Sequence, residues 1–269
     1  MTPGVCSISR GVGSAAAAWT PSSIADCQLE LDPRDTSTMT QGRDGSGGAP
    51  SVDSTDVVGR IYDRSSASRL YSPGADSRRA RFRDNASVFD GRKCLEYDKV
   101  DDVYVPAAAW AIAGAQTWAV EFQVTSAPAV NGLSNLIGTY IGATGNGQIV
   151  ITNSASYQTI SVQFNVTSTT ASVGFGGVSG AGTTANRRRL VITWDGVSKT
   201  NPSSWSARLD GVAQTLVASG NFGVSTVWGA MGGTTAVGNL LGGRLGRIAA
   251  FSRVLTVGEI TSLEGWLDG

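Results

Sequence analysis

The stretch Trp118-Ala119-Val120-Glu121-Phe122-Gln123-Val124 decides the fold. Trp118, Val120, Phe122 and Val124 occupy every second position, with Ala119, Glu121 and Gln123 between them. Successive side chains of a strand point to opposite faces, so a period of two predicts a strand with one apolar and one polar face. Ile160, Val162, Phe164 and Val166 repeat the pattern against Ser161, Gln163, Asn165 and Thr167. Leu190, Ile192 and Trp194 repeat it and stop at Asp195-Gly196, while Trp205, Ala207 and Leu209 stop at Asp210-Gly211. Asp-Gly supplies the positive φ that tight hairpin turns need. Strands joined by turns, without long helices between them, predict an all-β sandwich of two antiparallel sheets rather than a parallel α/β sheet.

Outward from these strands, one helix is signalled at the C-terminal end. Thr256 and Glu259 form a capping box, Leu255 and Ile260 are placed as its hydrophobic staple, and Ile260, Leu263 and Leu267 recur at helical spacing. Upstream, Trp19-Thr20-Pro21 opens a short helical turn, followed by a strand from Cys27 to Leu31. Asp32-Pro33-Arg34-Asp35 ends that strand, since proline cannot continue a ladder. Residues 41–56, rich in Gly and Ser, read as a flexible loop. Residues 1–18 read as an extended arm, either a disordered tail or a tether to a neighbouring subunit, ahead of a single domain over 19–269.

Composition narrows the chemistry. The chain has 269 residues, 41% of them hydrophobic, enough for a substantial core, and 35 glycines for many turns. Lys+Arg and Asp+Glu both number 21, so the basic excess of a nucleic-acid binder is missing and nucleic acid is not expected as a partner. Histidine is absent, which rules out Ser-His-Asp and Cys-His triads within this chain and removes the commonest zinc ligand. Cys6, Cys27 and Cys94 make neither a disulfide framework nor a zinc pattern. Cys27 and Cys94 read as buried thiols, or as partners facing each other on adjacent strands. No run approaches the roughly 20 apolar residues of a membrane span. Met1 to Ala18 lacks the pattern of a secretory signal, so synthesis in a host cytoplasm and use without processing are expected.

Several stretches together resemble the laminin G-like, concanavalin A-like jelly rolls. They are Val88-Phe89-Asp90-Gly91 with Asp101-Asp102-Val103-Tyr104-Val105, Trp118 to Val124, Leu190-Val191-Ile192-Thr193-Trp194-Asp195-Gly196, Arg208-Leu209-Asp210-Gly211, and the closing Gly246-Arg247-Ile248-Ala249-Ala250-Phe251 with Val254-Leu255-Thr256 and Glu259-Ile260. Their order and spacing over roughly residues 85–267 carry the resemblance. It implies a jelly roll with a curved sheet, used mostly to bind glycans or proteins. Some relatives are glucanases and some hold calcium at the rim. The upstream part, from Trp19 through Leu31-Asp32 and Tyr62-Asp63-Arg64-Ser65, resembles the N-terminal extension of a branch common in bacteriophage structural proteins and bacterial surface proteins.

The candidate chemistry is sparse. Glu96 and Asp98 share a strand face, and Glu96-Tyr97-Asp98-Lys99-Val100-Asp101 echoes a laminarinase pattern, though with Asp at its last position. Asp98, Asp101 and Asp102 offer oxygen ligands for calcium, or else cap turn amides, and no metal site is assigned. Two arginine runs stand out: Arg78, Arg79, Arg81 and Arg83, and Arg187, Arg188 and Arg189. Each reads as a solvated loop or as an ion-paired contact with a neighbouring subunit. Among the aromatics, Trp118, Trp194 and Trp205 read as core, while Trp110, Tyr140 and Trp228 read as exposed plates for a sugar face or a protein interface.

The expected function is therefore non-catalytic: a bacteriophage virion protein (capsid decoration, head fibre or tail-associated) built on a lectin-like jelly roll. It would contact other virion proteins, form a homo-oligomer, most plausibly a trimer, and bind host surface polysaccharide, with no cofactor. A carbohydrate-binding adhesin module is the alternative, and a glucanase-type glycoside hydrolase stands last.

Overall fold

The computed structural model describes residues 19–53, 55–84, 89–98, 100–108, 110, 112, 114–125, 133–138, 147–153, 158–166, 169–176, 187–198, 201–219, 236–237 and 241–269. Its strands, in chain order, are β1 (Cys27–Leu31), β2 (Met39–Thr40), β3 (Arg60–Tyr62), β4 (Leu70–Ser72), β5 (Arg81–Arg83), β6 (Cys94–Asp98), β7 (Val105–Pro106) and β8 (Gln116–Val124). There follow β9 (Leu133–Gly138), β10 (Gly147–Asn153), β11 (Gln158–Val166), β12 (Thr169–Gly176), β13 (Arg188–Trp194), β14 (Trp205–Leu209), β15 (Val212–Ala213), β16 (Val217–Ser219), β17 (Ala236–Val237) and β18 (Gly242–Phe251). A helix, α1 (Val257–Asp268), closes the chain. Among the described residues no helix is long and apolar enough to cross a membrane.

The result is a lectin-like sandwich of antiparallel sheets with one C-terminal helix, as the period-two strands predict. One sheet has eight strands, ordered β15-β14-β13-β8-β18-β6-β5, with β1 paired to β18. Opposite lies a six-stranded sheet ordered β16-β12-β11-β10-β9-β17, and a small sheet, β2-β3-β4-β7, flanks them. β18 is long enough to serve two partners on one side. Its first half pairs with β6 through Gly242↔Asp98 to Leu245↔Leu95, and its second half with β1 through Ile248↔Leu31 to Phe251↔Cys27.

The main core fills the space between the two large sheets. Trp118, Val120, Phe122 and Val124 meet Leu190, Ile192 and Trp194 and, from the opposite sheet, Leu136, Ile137 and Ile149. Trp205, Ala207 and Leu209 join them, with Trp205 stacked on Trp194 at 5.6 Å between ring centroids. The Asp210-Gly211 turn between β14 and β15 has φ of 52° and 81°, two successive left-handed residues, as a tight hairpin requires.

The second face of β8 departs from expectation. Its sequence predicts a solvent side, yet the strand is buried on both faces. The cause is α1, which is held by the predicted capping box, Glu259 N–H to Thr256 Oγ1 and Thr256 N–H to Glu259 Oε2. Leu255, Leu263, Trp266 and Leu267 cover Ala119, Val191, Ala249 and Phe251 on the outside of the sheet. The small side chains of Ala119 and Ala249 let the helix approach closely. The described residues of the 41–56 loop carry local hydrogen bonds of their own. Asp56 Oδ2 accepts the amides of Ser51 and Val52, and Gly42 N–H bonds Ser46 O.

Burying β8's outer face traps Glu121, which is fully buried. Its Oε1 accepts Arg34 Nη2 at 2.6 Å and Arg187 Nη1 at 2.7 Å, and its Oε2 accepts the Arg247 amide at 3.0 Å. The last of these depends on a register shift between Leu245 and Ile248 where β18 runs beside β8. Gly246 sits in that shift, and a Cβ there would lie 2.2 Å from Glu121 Oε2. Removing one partner from a buried ion cluster leaves uncompensated charge. Glu121→Gln is therefore expected to destabilise the fold by about 3–5 kcal/mol, read from the denaturant midpoint. Gly246→Ala should also lower it, because the methyl would press on the Glu121 carboxylate, pinned by its ion pairs, and on the buried Phe89 ring at 2.7 Å.

Candidate functional site

Two stretches that stand apart in the sequence meet at the β5–β6 edge. β5 pairs with β6 in the register Arg81↔Glu96, Phe82↔Leu95 and Arg83↔Cys94. Phe82 and Leu95 turn into the core, so Arg81, Arg83 and Glu96 fall on the outer face. Arg79, Arg81, Glu96, Asp98, Asp102 and Thr125 line a cleft of about 540 Å³ there. Thr125 carries no motif. It arrives because β8 ends beside the start of β18, where its amide donates to Gly242 O at 2.9 Å.

Within the cleft the acidic groups have distinct roles. Glu96 Oε1 accepts Arg83 Nη1 at 3.1 Å, and Glu96 Oε2 accepts Arg244 Nε at 2.8 Å. Arg244 continues to Gln123 Oε1 at 2.8 Å, making a polar ladder across the sheet. Both carboxylate oxygens of one member of the Glu96–Asp98 pair are thus engaged in ion pairs. Asp98 Oδ1 accepts the Val100 amide at 2.8 Å, while the Asp98 amide donates to Asp102 Oδ2 at 2.9 Å. These carboxylates cap turn amides, one of the two roles open to them from sequence. Asp98, Asp101 and Asp102 can bring one oxygen each within 4.8 Å of the others. Burial pushes the Asp102 carboxyl up to about 6, and the charges of Asp98 and Asp101 add to this.

The arginines of the two runs meet partners within the chain. Arg78 lies 3.8 Å from Asp101, Arg79 Nε donates to Asp76 O at 2.8 Å, and Arg83 also meets Asp53 at 3.3 Å. Arg187, whose side chain is 7% exposed, holds Glu121, Asp90 and Asp268. Arg188 pairs with Asp210, and Arg189 with Asp268 at 2.8 Å. Carboxylates and carbonyls of the same chain hold these guanidiniums, and Arg81 alone stands exposed on β5 without an ion pair among the described residues.

Trp110 is no open plate either. Its Nε1 donates to the buried Tyr71 hydroxyl at 2.8 Å, its ring stacks with Trp118 at 6.0 Å, and the Arg69 guanidinium lies 4.1 Å from the ring centroid. Strand β7 pairs with β4, and this draws the following segment over Tyr71. Tyr140 and Trp228 lie outside the described residues. Cys27 and Cys94 are buried free thiols on β1 and β6, strands that each pair with β18 rather than with each other. Burial pushes the Cys27 thiol up to about 12 and raises that of Cys94 as well.

Two outcomes follow. Trp110→Ala should lower stability by about 2–4 kcal/mol, since it removes a packed ring and strands the Tyr71 hydroxyl. A folded Asp102 carboxyl that titrates near 6, above the ordinary carboxylate range, binds its proton more tightly than the unfolded chain does. Its contribution to stability is therefore greatest below about pH 4 and declines as pH rises through 6. Asp102→Asn, followed by thermal melts across that range, should gain on the wild type as pH rises and differ little below pH 4.

Neither a family model nor a curated protein matches the sequence. Solved structures do resemble the fold. Trypanosoma rangeli sialidase gives a TM-score of 0.52 at 15% identity, covering 98% of this chain and 36% of that one. The binding domain of botulinum neurotoxin DC in complex with rat synaptotagmin II gives 0.57 at 11% identity, covering 90% and 52%. The same binding domain in complex with SialylT gives 0.56 at 12%, again covering 90% and 52%. The chain spans about half or less of the length of each. At these identities the likeness is one of fold, the lectin-like β-sandwich.

Proposed function

We propose that this chain is a non-catalytic, lectin-like recognition domain that binds glycans in the cleft between β5, β6 and the end of β8. The observation that carries this reading is the meeting of Arg79, Arg81, Asp98, Asp102 and Thr125 around about 540 Å³ of open space. Sugar hydroxyls both donate and accept, so they fit a wall that alternates guanidinium, carboxylate and hydroxyl groups. Related folds with carbohydrate ligands support the reading: cell entry of botulinum neurotoxin type C depends on interaction with two ganglioside molecules, and the neurotoxin DC binding domain is found in complex with SialylT. Against catalysis, hydrolysis needs one carboxyl to give a proton and another to attack or activate water, whereas Glu96 is committed to Arg83 and Arg244.

The setting proposed is the surface of a bacteriophage particle, where such a domain, as an oligomer against other virion proteins, would meet host polysaccharide. The resemblance of the part from Trp19 through Ser65 to the N-terminal extension of a branch common in bacteriophage structural proteins and bacterial surface proteins is what suggests it. Purified protein should be captured by bacterial surface polysaccharide, and Arg81→Ala with Asp98→Ala should weaken capture at least tenfold while melting temperature changes little. Capture by particle shells but by no polysaccharide would leave an assembly role and remove the glycan site.

A further inference from the structure

The charges of the cleft say more than its shape. Both oxygens of Glu96 are taken by Arg83 and Arg244. Arg79 lies 3.9 Å from Asp76, and Arg78 3.8 Å from Asp101. Once these pairs are set aside, the described charges of the wall are Arg81 on one side and Asp98 and Asp102 on the other. Arg81 is already in the field of Asp102, whose proton affinity it lowers. The remainder, one guanidinium against two carboxylates, is therefore acidic.

A ligand carboxylate entering this space would give up its water. It would find a single uncommitted guanidinium, that of Arg81, against two carboxylates of its own sign. An uncharged sugar meets no such penalty. Its vicinal hydroxyls can donate to Asp98, Asp102 and Thr125 Oγ1, whose own proton goes to Gly242 O, and accept from Arg81 without any charge being buried.

We propose that the cleft selects uncharged glycans, built of hexose or N-acetylhexosamine units, against sugars that carry a carboxylate. This rests on the glycan-binding reading above and narrows it. The selection is set by Asp98 and Asp102 rather than by the shape of the cleft.

Calorimetric titration of the full chain with lactose oligomers and their sialylated counterparts tests it. Neutral and uronic-acid polysaccharides of bacterial origin make a second pair. The neutral member of each pair should bind, with the acidic member at least tenfold weaker. Asp98→Asn, which keeps an oxygen to accept the Val100 amide, should narrow that gap, with the melting temperature checking the fold. Equal or tighter binding of the acidic members by the wild type overturns the inference and leaves the glycan reading standing. No binding by any member of the panel overturns the glycan reading itself.

Discussion

A carboxylate cut off from water must be neutralised where it stands, and the residues that neutralise Glu121 tie together parts of the chain far apart in sequence. Arg34 comes from the segment after β1, Arg187 from the approach to β13, and the Arg247 amide from the register shift in β18. The same three arginines reach further. Arg34 Nη2 and Arg187 Nη1 both donate to Leu267 O, and Arg247 Nη1 donates to Trp266 O. The last carbonyls of a helix have no partners within it and carry its negative dipole end. Here the orphan carbonyls of α1 and the orphan charge of Glu121 are satisfied by one set of arginines. The helix therefore stays on the sheet, and its cover keeps Glu121 dry.

The same logic sets the edge where the cleft forms. Arg83, Glu96, Arg244 and Gln123 link β5, β6, β18 and β8 side by side in one polar row. A bidentate guanidinium can bridge two acceptors where an ammonium on a flexible stem would hold one, which suits a chain with 18 arginines and 3 lysines. With those strands locked, the turn from Asp98 to Asp102 projects from a rigid base. Its groups are then positioned before any ligand arrives, which lowers the ordering cost of binding.

The inner half of this architecture was legible because burial on one face leaves a period of two. Trp118, Val120, Phe122 and Val124 could hardly be read otherwise, and Thr256 with Glu259 announced the helix start. The outer half was not legible, because nothing local distinguishes a polar residue facing solvent from one facing a buried partner. Glu121 lies in the polar phase of β8, and its arginines are 87 residues upstream and 66 downstream. Ala119, Val191 and Ala249 are small enough to suit either solvent or a helix. The partners of the arginine runs were not legible for the same reason: charge density in sequence says nothing of where the opposite charges fold to. Trp110 looked exposed among alanines, whereas its burial comes from Tyr71 and Arg69, 39 and 41 positions away.

Pairing within the chain also explains how a protein so rich in arginine can be electrically quiet. A formal charge of zero could arise from separate basic and acidic patches, which would steer ligands strongly. Instead Arg187, Arg188, Arg189, Arg208, Arg244, Arg247 and Arg253 each lie against a carboxylate, and little field extends outward. Recognition on such a surface falls to hydrogen bonds at short range. The cleft at the β5–β6 edge keeps unpaired donors and acceptors of both kinds in one place, and that local imbalance, rather than the fold as such, carries the argument for a binding site there.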